Sequence, residues 1–475
     1  MTKVRRKRHD SSTVRAAVAA GHPATVEAGI EALEEGGSAA DAAVAACLAS
    51  CVAETVLTGL LGGGHAIYFD AGSGAARNLD CFVAVPGLGA EALRAELVEL
   101  EVPFGTELVH YAVGIASCGV PGVPAGLAAL HEQHGRLPWP RVVEPALRLA
   151  RDGVEFPPAH AACLAMLAPV MTMNEGERIY APTGSLLQAG DCLEQPGLGR
   201  VFELLAGEGP RSVYAGTLAE SLLELMRERG GLVTSDDLAA YEARWSDPVE
   251  VSYAETRFLT RAGLSGVPET LPRVPALRSV SEPERAVAWA RVLDGSGPNG
   301  HTTNLSVTDR WGNACVLTTS LGLGSGDFLP GLDLHLNSML GERDLIREPV
   351  EPGARMGSMM APSLALDGEG VALAIGAAGG MRLRSALLQV TAGVLDEGRD
   401  PQEAVDRPRL HPAAGLVHLE PGFDAATTEA LQGQGYEVRV WPDRHHYFGG
   451  VSVVTRNGCA GDPRRSGTAT PLPRR

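Results

Sequence analysis

The stretch Gly300-His301-Thr302-Thr303-Asn304-Leu305-Ser306-Val307-Thr308-Asp309 decides how the chain folds around its middle. It follows a polar run, Asp294-Gly295-Ser296-Gly297-Pro298-Asn299-Gly300, and from Asn304 to Thr308 polar and apolar residues alternate. Alternation of period two marks a half-buried strand. Arg310-Trp311-Gly312-Asn313 reads as a turn and Ala314-Cys315-Val316-Leu317-Thr318-Thr319 as the returning strand, so the pattern predicts a β-hairpin. Thr302 stands where loop meets strand. β-Branched residues suit strands, and on the hairpin alone an ordinary structural threonine accounts for it. A second reading is chemical. A chain cut before Thr302 would place a free α-amine beside the Thr302 hydroxyl, where the amine can act as base for that hydroxyl.

The surroundings bound the choice. A chain of 475 residues suggests roughly three domains by length alone, yet no linker-like segment divides it. Hydrophobic residues make up 45% and charged residues 20%, ample for a buried core. Fifty-eight glycines against 5% aromatics point to close helix–sheet packing and many turns rather than an aromatic ligand groove. A net charge of -17 argues against nucleic acid as a partner, because phosphate recognition needs clustered Lys and Arg. The one basic cluster, Lys3-Val4-Arg5-Arg6-Lys7-Arg8, reads as a solvated tail over residues 1–20, with an address or an anion-binding arm as the other readings. No apolar h-region follows it, and no run of 18 apolar residues predicts a membrane span. Cysteines 47, 51, 81, 118, 163, 192, 315 and 459 form no CxxC pair. They suit reduced thiols in a cytoplasmic protein better than a disulfide framework or a zinc site.

Along the chain, Ala24–Glu35 has helical spacing and is stopped by Gly36-Gly37. Ser38, with Asp41 three residues on, caps a second helix from Ala39 to about Val52 that is apolar all round and therefore buried. Gly62-Gly63-Gly64 precedes the strand Ala66–Phe69. No Lys-Ser/Thr follows, which excludes a phosphate loop and leaves backbone passing through a crowded place. Further strands are expected at Asn78–Pro86, Glu250–Tyr253 with Arg257–Thr260, Gly370–Ile375, and 416–419, 436–441 and 450–455. Helices are expected at Leu127–His134, Trp139–Arg151, near Glu282–Leu293 and at Ser385–Leu395. Residues 266–301, rich in Pro, Gly and Ser at both ends, read as an exposed, cleavable connection, and Gly376-Ala377-Ala378-Gly379-Gly380 as a bend.

In this order, Glu35-Gly36-Gly37-Ser38-Ala39-Ala40-Asp41, Leu61-Gly62-Gly63-Gly64, Gly119-Val120-Pro121-Gly122, Thr302-Thr303, Met360-Ala361-Pro362, Gly379-Gly380-Met381-Arg382 and Asp462-Pro463-Arg464-Arg465 resemble the γ-glutamyltranspeptidase family of N-terminal-nucleophile hydrolases. The resemblance implies an αββα four-layer sandwich of the α/β class. It also implies one chain cut between His301 and Thr302 into a large subunit, 21–301, and a small one, 302–475, both contributing to one αββα domain. A homodimer of such heterodimers is compatible with it. By the same resemblance Thr302 Oγ attacks an amide or isopeptide carbonyl, and its own amine carries the proton. The N–H groups of Gly379 and Gly380 hold the oxyanion. Ser320 takes the place of a second threonine that hydrogen-bonds the nucleophile. No metal and no cofactor is implied, and the expected partner is a small amide.

The match breaks at substrate recognition. The family holds the α-carboxylate of a γ-glutamyl group with an Arg in a D-x-R-x-x-A-P stretch. Here the stretch is Asp80-Cys81-Phe82-Val83-Ala84-Val85-Pro86, with Phe82 at the Arg position. Gly322 replaces a family Asn and Met339 a Gln. Of two serines only Ser358 remains, followed by Met359. Glu342 is the acid aligned with the group that binds an α-amine. Arg382 is a candidate for an anionic substrate as well as for a structural ion pair, and His65 for the pocket wall or for filling space. The changes replace charge and amide groups by apolar ones, so the expectation is an amidohydrolase whose acyl group is not γ-glutamyl. A true γ-glutamyl enzyme and an inactive binding member of the family are the alternatives.

Overall fold

The computed structural model describes residues 14, 16–90, 96–104, 107–294, 302–342, 345–346, 351–380 and 382–472. Two sheets carry the fold. Their strands in chain order are β1 (Ala16–Ala20), β2 (Gly63–Asp70), β3 (Ala75–Cys81), β4 (Arg244–Ser246), β5 (Val249–Tyr253), β6 (Thr256–Thr260), β7 (Thr303–Thr308), β8 (Ala314–Ser320), β9 (Ser363–Asp367), β10 (Gly370–Ala378), β11 (Gly450–Thr455), β12 (Cys459–Gly461) and β13 (Thr468–Leu472). The first sheet runs β13-β1-β7-β8-β2-β3-β4 and the second β12-β11-β10-β9-β6-β5. Every neighbouring pair within them is antiparallel.

The sheets pack face to face through small and branched side chains, among them Ala17, Ala19, Ile67, Val316, Leu364, Ala374 and Val454. Outside the first sheet lie α1 (Pro23–Glu34) and α2 (Ala39–Ala53). Ser38 accepts from the Asp41 N–H while Asp41 accepts from the Ser38 N–H, closing the capping box that the sequence signals. All fifteen residues of α2 are buried, as an all-apolar helix requires. The second sheet is covered by α3 (Glu282–Leu293) and α4 (Arg382–Leu395), with Trp289, Leu387 and Ile375 in one cluster. The result is a four-layer αββα sandwich. No helix among the described residues is long and apolar enough to cross a membrane, and the eight cysteines are free thiols.

The hairpin closes as its alternation implies, with Leu305 opposite Leu317 and Thr308 opposite Ala314. The glycine run is crowded: a Cβ on Gly64 would lie 2.6 Å from the Thr318 carbonyl oxygen. Four expectations need correction. Residues 16–20, read as the end of a solvated tail, form the buried strand β1 between β7 and β13. The strand expected over Asn78–Pro86 lies earlier, at Ala75–Cys81, because the Phe82 N–H turns to the Asp80 carboxylate (2.9 Å) and the Ala84 N–H to the Val120 carbonyl. Gly376–Ala378 is strand, paired to β11 through Ala378 and Gly450, so the bend is confined to Gly379-Gly380. The supposed exposed connection folds for most of its length: Val267, Leu271 and Leu277 are buried in the second core. Its end, 295–301, lies outside the described residues, and with it His301.

Candidate active site

Three segments meet at Thr302. The β7–β8 register pairs Thr303 with Thr319. One step toward the open end, Thr302 stands across from Ser320, and both line a recess of about 300 Å³. Both are buried, and the Ser320 hydroxyl accepts from the Gly322 N–H at 2.9 Å.

The second segment is the bend between β10 and α4. Gly379 and Gly380 have φ of +131° and +59°, in the left-handed region that favours glycine. A Cβ on Gly379 would lie 2.8 Å from the Gly449 Cα, so the position has no room for a side chain either. The carbonyls of Gly379 and Gly380 accept from the N–H groups of Arg382 and Leu383 at 3.1 and 3.0 Å. The bend is thus continuous with the first turn of α4, whose positive end favours an anion there. Gly380 lines the recess, and Gly379 precedes it in the chain without being among the described lining residues.

The third segment supplies the walls. Phe82, Met339 and Leu345 face Met359, Met360 and Leu383, and most of these belong to one buried apolar cluster. Polar groups enter from Ser358, whose hydroxyl accepts from the Met360 N–H at 3.3 Å, and from the buried carboxyl of Glu342. A Cβ on Gly322 would lie 3.0 Å from Glu342 Oε1 and 2.6 Å from Ser338 Oγ, so the missing side chain at 322 makes room for that carboxyl. No Lys, Arg or His side chain is found among the described lining residues.

Six of the candidate residues therefore meet: Thr302, Ser320, Gly380, Ser358, Glu342 and Phe82. Arg382 is not among the described residues that line the recess. It is buried beneath the bend, with Nε donating to the Tyr447 carbonyl (3.3 Å) and its guanidinium 4.8 Å from the Tyr447 ring. His65 also stays outside the recess, stacked behind Phe82. Burial, with the charges of Arg261 and Arg355, pushes its pKa well below the usual imidazole range, so it fills space as a neutral ring.

Sequence reasoning assigned no role to a second recess of about 240 Å³ on the other side of the strand start. Glu54, Thr303, Asn304, Asp462 and Arg465 line it. The buried Glu54 carboxyl follows the last turn of α2 and accepts from the hydroxyls of Thr25 (2.7 Å) and Thr303. Burial raises its pKa to about 7, against the opposing pull of Thr303, Thr25 and the Arg465 charge. Arg465 Nη1 donates to the Thr302 carbonyl at 3.3 Å. A signal was present in each case: an acid directly after an all-apolar helix is a buried-charge flag, and Arg465 lies in one of the ordered motifs.

The family model described as Gamma-glutamyltranspeptidase matches residues 25–268 and 278–472. The chain is similar to the Acylase ACY 1 proenzyme of Pseudomonas sp. (strain SE83), 27% identical over 94% of this chain and 91% of that one. It is also similar to the Glutathione hydrolase proenzyme of Bacillus subtilis (strain 168), 24% identical over 95% and 90%. In fold it is similar to the crystal structure of a cephalosporin acylase from Bacillus halodurans, with a TM-score of 0.84, 22% identity and coverage of 100% and 99%.

Proposed function

This chain belongs to the gamma-glutamyltranspeptidase family, and from that premise we propose that it is a self-cleaving N-terminal-threonine amidohydrolase acting on an acyl group with an apolar body. In the proposed reaction Thr302 Oγ attacks the amide carbonyl while the Thr302 α-amine takes the hydroxyl proton. Negative charge on the tetrahedral oxygen falls to the Gly379-Gly380 bend at the head of α4. As the C–N bond breaks, the ammonium returns the proton to the leaving amine, and an ester on Thr302 remains. Water, or a second amine in a transfer reaction, then attacks the ester and regenerates the hydroxyl.

One observation carries the acyl preference. The wall beside Thr302 is built of Phe82 and three methionines, Met339, Met359 and Met360, with no cation among its described residues. A carboxylate buried there without a partner would be strongly disfavoured. A second carboxyl beside Glu342 is disfavoured further, whereas the Glu342 carboxyl can accept from an amine on the acyl group. The name of the relative Acylase ACY 1 proenzyme is compatible with acylase activity in general. The glutathione hydrolase relative keeps the γ-glutamyl reading as the second one.

A panel of anilides separates the readings. The processed enzyme should cleave apolar acyl anilides at least about tenfold faster, in kcat/KM, than the γ-glutamyl anilide, and adding an α-carboxylate should lower the rate. A preference for the γ-glutamyl compound would overturn the apolar reading. Failure to turn over any member would favour a family member that persists as a binding protein.

A further inference from the structure

The proposed reaction requires the Thr302 α-amine to be neutral when substrate arrives. An ordinary α-amino group has a pKa near 7.7–8.0 and is mostly protonated at neutral pH. Something near it must favour the neutral form.

Arg465 is placed to do this. It is buried, and among the described residues its side chain's only hydrogen bond runs from Nη1 to the Thr302 carbonyl, while its Nε has no acceptor. In an extended chain the N–H and C=O of one residue point to the same side of the strand. Thr302 leads into β7, so its nitrogen faces the side that Arg465 marks. Covalent geometry alone keeps that nitrogen within roughly 7 Å of Nη1.

We propose that Arg465 is a positioning residue for the nucleophile's own base: it holds the Thr302 carbonyl and, by its charge, keeps the new α-amine in the neutral form that takes the hydroxyl proton. The proposal rests on the self-cleavage proposed above.

The other groups facing Arg465 leave its charge largely unopposed. Asp462 is shared with Arg409 (2.6 Å) and Arg464 (3.2 Å). Burial pushes the Cys163 thiol up, holds His160 down at about 3 and lowers the His445 pKa, so burial favours the neutral form of each. Glu54 is the acid whose charge reaches Arg465 without another cation on it, and burial keeps it protonated up to about pH 7. From the first recess Glu342 faces the threonine. A cation beside an ammonium disfavours the charged form, lowering its pKa by about one to three pH units at close range.

The test reads the amine directly. Cut protein is treated with an acetylating succinimidyl ester between pH 5 and 9, and acetylation at the Thr302 N-terminus is followed by peptide mass spectrometry. Wild-type protein should show a midpoint below 7. Arg465→Met should raise it by about one pH unit, a tenfold loss of free amine at pH 6, and Arg465→Lys should restore it. An unmoved midpoint in Arg465→Met overturns the proposal. Should that variant fail to fold or to be cut, the wild-type midpoint decides, and one at the ordinary α-amine value of about 7.7–8.0 overturns the proposal. Wild-type protein that is never cut overturns the self-cleavage reading, and this proposal with it.

Discussion

The ring of Phe82 lies flat against that of His65, with centroids 5.5 Å apart and planes 15° apart. Phe82 lines the recess beside Thr302 and His65 does not, while the charges of two half-buried cations, Arg261 and Arg355, are felt at His65, so the pair acts as a partition. Phe82→Ala should open that partition. With the side chain 1% exposed, truncation should destabilise the fold by about 3–5 kcal/mol, read as a shift of the denaturant midpoint. In the surviving folded protein, discrimination against carboxylate-bearing acyl groups should fall. A variant as stable and as selective as the parent would argue against Phe82 as a wall of the site.

Gly379→Ala tests the oxyanion bend. The new Cβ meets the Gly449 backbone at a φ of +131°, so the bend itself must move. Where both N–H groups serve the transition state, kcat should drop by about 10²–10³ with KM little changed. Unchanged kcat in a protein that is correctly cut would remove Gly379 from the chemistry.

Glu54 makes stability depend on pH. Its folded pKa, about 7, lies above the usual carboxyl value because burial disfavours the charged form. The folded state therefore binds the proton more tightly than the unfolded chain. The advantage is fully present below the unfolded pKa and is lost as pH rises through about 7. Against Glu54→Gln, whose side chain does not titrate, wild-type stability should decline between pH 5 and pH 8 by a few kcal/mol, order of magnitude. A difference that is flat across this range would mean that Glu54 is already ionised at pH 5.

Much of the fold is written in local patterns. The capping box at Ser38 and the alternation from Asn304 to Thr308 depend on residues within one turn or one strand, and the observed elements follow them. The Phe82 segment misled because its strand is ended by a hydrogen bond to a side chain, which alternation does not encode. Gly376 and Ala378 read as a bend, yet the partner strand at Gly450, far along the chain, holds them in the ladder. At the site, the ordered motifs bring six candidate residues to one recess. Arg382 lies outside the described lining of the recess and contacts Tyr447, and no motif records where a side chain points. Glu54 and Arg465 acquire meaning only when residues 54, 303 and 465 come together.

The most direct measurement is a denaturing gel with intact-mass analysis of purified wild-type protein and of Thr302→Ala. Wild type should give two fragments, residues 1–301 and 302–475, the second beginning with a free Thr302, while Thr302→Ala should remain one chain. A wild-type preparation that stays a single chain while cleaving amides, or a cut at any other bond, would contradict the assignment of Thr302 as nucleophile and new N-terminus.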